Sequence, residues 1–181
     1  MKPLLITDAS VLLNLLASEA FEEIAHQCGW RFVICEVVQS EVLALRNAET
    51  GEMEPVDLQR LINANLIEVV SLDVATESSC YIEYAALVDD EEAMSLAIAE
   101  MRNLAIALDD RRAINVAHGR GIKVPMLTTP EMLHTWHQEH GKDEAKMAAA
   151  LKNIETRARY IPPKNHPLRQ WWQECRAIAG D

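Results

Sequence analysis

The sequence predicts an α/β fold in which parallel strands are joined by helices. Three observations predict it. Short apolar runs alternate with longer segments of helical periodicity. None of the runs alternates polar with apolar residues, so both faces of each strand are expected to be covered. Strands that alternate with helices need crossover connections, and these are right-handed. A length of 181 residues suits one such domain of ordinary size.

The elements follow in order. The first strand is expected over residues 3–7, before a helical stripe of Val11, Leu12, Leu15 and Leu16. The second covers 31–35 and precedes a stripe of Val38, Val42 and Leu45. Residues 49–55 (ETGEMEP) read as a polar loop between two helices, the next of which carries Leu58, Leu61 and Ile62. Strands over 66–72, 104–108 and 122–127 complete a set of about five. Asp89 as N-cap and Glu92 three residues on open a helix with Met94, Ala97, Ile98 and Met101 on one stripe. Gly119 and Gly121 punctuate the helix that begins near Arg111. Thr129-Pro130-Glu131 supplies a cap, a Pro at the first helical position and an acid. From Lys142 the pattern changes. Helical stretches over 143–160 and 168–179 flank a Pro-containing link at 161–167, with no strand signal after Leu127. The expected organisation is a domain over 1–140 and a helical extension over 141–181 packed on it.

Charge is unevenly distributed. Residues 1–110 carry 5 basic and 21 acidic side chains, net −16, whereas 111–181 carry 12 basic and 7 acidic, net +5. The total of −11 disfavours gripping nucleic acid by bulk positive charge, and disfavours attachment to anionic lipid. No apolar run reaches the roughly 20 residues of a membrane span. The apolar N-terminus is broken by Asp8 and Asn14 and reads as a strand and helix, not a signal peptide. Cys28, Cys35, Cys80 and Cys175 are widely spaced and read as reduced, mostly buried thiols of a cytoplasmic protein.

In an open parallel sheet, ligands bind beyond the C-terminal strand ends. Asp8 follows the first strand, and Asp109 and Asp110 follow the fourth. Glu41 falls in the helix after the second strand, and Glu92 in the first turn of the helix before the fourth. These converge if the first and fourth strands are neighbours. Clustered carboxylates need cations, and an oxygen-only donor set selects Mg²⁺ or Mn²⁺. Each acid also has a structural role available. Asp8, Asp110 and Glu92 can serve helix N-termini, and Glu41 can be a solvated helix residue. Glu41 shares its expected face with Val38, Val42 and Leu45, where an acid wants a partner or a metal.

Taken together, the sequence resembles the PIN-domain nucleases, which include the toxins of many toxin–antitoxin pairs. The resemblance rests on Ile6-Thr7-Asp8-Ala9-Ser10, Glu41 in Val38-Gln39-Ser40-Glu41-Val42, Glu92-Ala93-Met94-Ser95-Leu96, and Leu108-Asp109-Asp110-Arg111-Arg112. It covers roughly residues 3–135. It implies a three-layer α/β/α fold and a divalent-metal-dependent endoribonuclease acting on single-stranded or loop RNA. Asp8, Glu41, Glu92 and Asp110 would be catalytic and hold Mg²⁺ or Mn²⁺, with Asp109 as a further ligand. Ser10 would orient Asp8 or a water, and Arg111 and Arg112 would contact phosphate. An antitoxin protein and a homodimer are further implied partners.

Three other features bear on function. A PIN-like module that binds a partner without turnover is the alternative to the nuclease. His134, His137 and His140 are spaced three apart, and on a regular helix the third lies about 240° from the first, so they cannot share one zinc ion. They read as a surface helix. Trp171 and Trp172 lie among basic residues and read as packing, one buried and one half-exposed, over base stacking.

Overall fold

A computed structural model describes residues 2–41, 43–139 and 143–178. Val42 of the second stripe, His140 of the histidine series, Lys142 and Ala179 lie outside the described residues. The chain runs β1 (Leu4–Thr7), α1 (Ala9–Ala17), α2 (Phe21–Gln27), β2 (Arg31–Cys35), α3 (Glu36–Ser40), β3 (Ala44–Arg46), β4 (Met53–Pro55) and α4 (Leu58–Asn63). It continues with β5 (Ile67–Val70), α5 (Val74–Ala85), α6 (Asp90–Arg102), β6 (Ala105–Ala107), α7 (Arg111–Arg120), β7 (Met126–Leu127) and α8 (Thr129–Glu139). Last come α9 (Glu144–Asn153), a π-helical turn (Ile154–Ala158) and α10 (Arg169–Ala177). These elements form two compact units: Met1–Val11, Gly29–Val42 and Asp57–Thr128 in one, and Leu12–Cys28, Leu43–Val56 and Thr129–Asp181 in the other.

The first unit holds a five-stranded parallel sheet in the order β5-β2-β1-β6-β7, flanked by helices as a three-layer α/β/α fold requires. Consecutive residues of β1 and β2 (Leu5, Ile6, Val33, Ile34) are all fully buried, so both faces of the sheet are covered. The chain builds outward from β1 through β2 to β5, then returns to β6 and β7 on the other side. The winding direction therefore reverses between β1 and β6, the switch point at which open α/β sheets form a crevice. Register places Thr7 opposite Ala107, and the Asp8 N–H donates to the Ala107 carbonyl at 3.3 Å, so the two strands end side by side.

Helix α6 packs against β1, β2 and β6 and is buried continuously from Glu92 to Ala99. Asp89 caps it by accepting the Glu92 N–H at 3.0 Å, and Asn103 closes it in the left-handed conformation (φ 53°). Gly121 does the same for α7 (φ 74°), with Gly119 inside the helix. Helix α5, which the apolar pattern does not reveal, buries Glu77, Cys80 and Tyr84. Glu77 is a buried acid, and its carboxylate takes two bonds from Arg102 of α6, at 2.6 and 2.8 Å.

The segment after β2 corrects two expectations. Residues 49–55 are not a loop between helices: β3 and β4 pair antiparallel, with Ala44 opposite Pro55. The reversal is made by Asn47, whose side chain accepts the N–H groups of Glu49 and Thr50, and by Gly51 at φ 75°. The stripe through Val38 and Leu45 is not one helix either. Helix α3 stops at Ser40, Glu41 is extended (φ −69°, ψ 145°), and Leu45 is a strand residue. Glu41 is exposed and does not edge a buried helical face.

In the C-terminal helices Trp172 is fully buried, and its indole N–H donates to Glu155 at 2.8 Å. Arg176 pairs with the same carboxylate at 3.0 Å. Trp171 is half-buried and meets His134 edge-on, with ring centroids 4.9 Å apart. The packing reading of this pair therefore holds. The surface-helix reading of the histidines does not hold for His137, which is buried. All four cysteines are free; Cys28 is half-buried and the others are buried. Among the described residues no helix is long and apolar enough to cross a membrane.

Candidate functional site

The site lies in the first unit, beyond the ends of β1 and β6. Asp8 is the residue at which β1 becomes α1. Its Oδ1 accepts the Val11 N–H at 2.7 Å, and its Oδ2 accepts the Ser10 hydroxyl at 2.9 Å. Asp8 thus caps α1, and the Ser10 hydroxyl is bonded to its carboxylate. Capping explains why Asp8 is held rigidly; it does not explain why the carboxyl is buried, at 2% exposure. Burial holds it well above the usual carboxylate range, and the neighbouring charges of Glu91 and Asp109 add to this.

Glu91 is the residue that sequence reasoning missed. It lies at the second position of α6, and its Oε1 accepts the Ala9 N–H at 2.9 Å. Burial pushes its carboxyl up to about 7, helped by the charges of Glu41, Asp89 and Glu92. The exposed Glu41 thus acts on the site through Glu91. The capping box and the family resemblance point to its neighbour Glu92, although the same first turn carries further acids in Asp90-Glu91-Glu92.

Glu92 points to another part of the cluster. Burial, then the charges of Asp89 and Asp110, raise it to about 7, while Arg112 pulls in the opposite direction. Consecutive helical residues differ by about 100° in direction, which separates the two glutamates. Asp110 is the N-cap of α7: its Oδ1 accepts the N–H groups of Arg112 (2.7 Å) and Ala113 (2.9 Å). Arg111 and Arg112 are exposed in the first turn of that helix.

Two linked groups emerge: Asp8 with Glu91, Asp109 and Glu41, and Glu92 with Asp110 and Arg112. The donors are oxygens throughout, and several carboxyls resist ionisation because they are buried together. Such a set fits a hard divalent cation, whose charge would stabilise the ionised forms.

No curated protein sequence matches the chain. A family model described as a PIN domain, a nuclease-type fold, matches residues 4–164. With that match spanning most of the chain, including β1, α6 and β6 and the acids around them, the chain belongs to the PIN-domain family.

Proposed function

We propose that the protein is a divalent-metal-dependent endoribonuclease that hydrolyses phosphodiester bonds in single-stranded or loop RNA. The observation that carries this reading is the gathering of Asp8, Glu91 and Asp109 at the switch point between β1 and β6, with Asp8 buried and kept from ionising easily. Asp8, Glu41, Glu92, Asp109 and Asp110, together with Glu91, would hold Mg²⁺ or Mn²⁺. When bound, the ion supplies an activated water and offsets charge on the phosphate.

The side chains of the site have separable tasks. Ser10 and the Val11 N–H fix the orientation of Asp8. Arg111 and Arg112, exposed beside Asp110, are placed to receive RNA phosphates. The body of the chain is acidic, so affinity rests on such local contacts and falls steeply with salt. The resemblance to toxins supports a cytoplasmic toxin held in check by an antitoxin, with the 1–140 segment catalytic and 141–181 an extension.

The test is cleavage of single-stranded RNA with Mg²⁺ or Mn²⁺, with EDTA, and by Asp8→Asn and Asp109→Asn variants. Cleavage should require metal and fail in both variants. Undiminished cleavage by both variants rejects the site. Failure of the wild-type protein to bind Mn²⁺ in calorimetry favours a binding module without turnover.

A further inference from the structure

Outside the carboxylate cluster, the second unit brings together three side chains of different chemistry. His137 of α8, Glu144 of α9 and Cys175 of α10 each offer a donor atom, and these atoms all lie within 4.8 Å of one another. His137 Nε2 is 3.7 Å from Glu144 Oε1. His137 and Cys175 are buried, at 6% and 5% exposure, whereas the Glu144 side chain is 53% exposed. The three come from separate helices, and Cys175 lies 31 residues beyond Glu144, so only the folded chain brings it to the other two.

We propose that His137, Glu144 and Cys175 form a second metal site that takes Zn²⁺. Thiolate and imidazole donors favour zinc over Mg²⁺ or Mn²⁺, which prefer oxygen. Bonds of about 2.0–2.3 Å in a tetrahedron set donor separations of roughly 3.3–3.6 Å. The His137–Glu144 distance is close to that span, and the exposed Glu144 is free to swing inward. Three protein donors leave a fourth position for water. On ligation the Cys175 thiol gives its proton to solvent and binds as thiolate. The site would tie α8, α9 and α10 together.

In the sequence His137 belongs to a series with His134 and His140. The structure instead pairs His137 with donors from two other helices, while His134 meets the ring of Trp171. The competing account is a metal-free His137–Glu144 contact with Cys175 as an apolar filler.

The experiment uses the full chain carrying Asp8→Asn, which disables the carboxylate cluster. Apo protein is titrated with Co²⁺ and, separately, with Zn²⁺. Co²⁺ should produce a sulfur-to-cobalt charge-transfer band, which an all-oxygen site cannot give, and Zn²⁺ should bleach it. Zn²⁺ should also raise the melting temperature, reversibly by EDTA. Cys175→Ser should abolish the band. Glu144→Gln, at an exposed position that folding tolerates, should weaken Zn²⁺ binding by at least the roughly tenfold that loss of an outer-shell partner costs. Absence of the charge-transfer band in the Asp8→Asn protein overturns the proposal, as does its persistence in Cys175→Ser or unchanged Zn²⁺ affinity in Glu144→Gln.

Discussion

The Glu91 carboxylate accepts the Ala9 backbone N–H at 2.9 Å, which anchors an acid of α6 next to the buried Asp8. One bond thus joins the first turns of α1 and α6 and holds two mutually repelling carboxyls in place. The neutral N–H satisfies only part of Glu91, and the remaining repulsion is available for a cation to relieve.

A pH dependence of stability follows. Glu91 rises from its ordinary 4.5 to about 7 in the folded protein. Between those values the native state holds more protons than the unfolded chain, so stability falls as pH rises through the window. Below the lower value the group contributes nothing; above the upper one the loss is complete. Melting temperature of metal-free protein should fall from acid to neutral pH, and Mn²⁺ should restore it at neutral pH. A metal-free profile that is flat across this window would show that burial and the neighbouring charges do not raise Glu91.

Glu91→Gln and Glu92→Gln separate the two glutamates. Gln keeps an acceptor for the Ala9 N–H but removes the charge beside Asp8. Glu91→Gln should raise metal-free stability at neutral pH. It should also weaken Mn²⁺ binding by at least the roughly 10–100-fold that loss of a supporting group costs a metal site. Glu92→Gln should affect Mn²⁺ less, because its neighbours are Asp110 and Arg112. The reverse ranking in calorimetry would place Glu92 at the centre of the site.

Trp172 anchors the C-terminal helices. Trp172→Ala should cost about 3–5 kcal/mol in urea unfolding, as for other buried aromatic truncations. Trp172→Phe retains most of the packing and loses the bond to Glu155, a cost of about 1–3 kcal/mol. Equal losses for the two variants would assign the stability to the hydrogen bond instead of the buried ring.

Local signals were legible without the structure. The apolar runs mark β1, β2, β5, β6 and β7, although β7 shrinks to Met126–Leu127. The Asp89 cap marks the start of α6, and the acids after β1 and β6 mark the strand ends. These depend on backbone capping and on burial of short segments, which neighbouring residues specify. Helix α5 escaped because its buried positions include Glu77, whose partner Arg102 belongs to another helix. The β3–β4 hairpin escaped because its strands have three residues each and β4 is exposed along its whole length.

The sequence by itself determined the alternation of strands and helices and supplied a set of acids near the strand ends. Only the tertiary structure decided that β1 and β6 are neighbours and that Glu91 and not Glu92 meets Asp8. It also decided that His137 shares its surroundings with Glu144 and Cys175. The physical reason is rotation. Periodicity identifies a helix, but a turn of about 100° per residue sends adjacent side chains in different directions. Packing against β1, β2 and β6 fixes which of them α6 presents to the crevice.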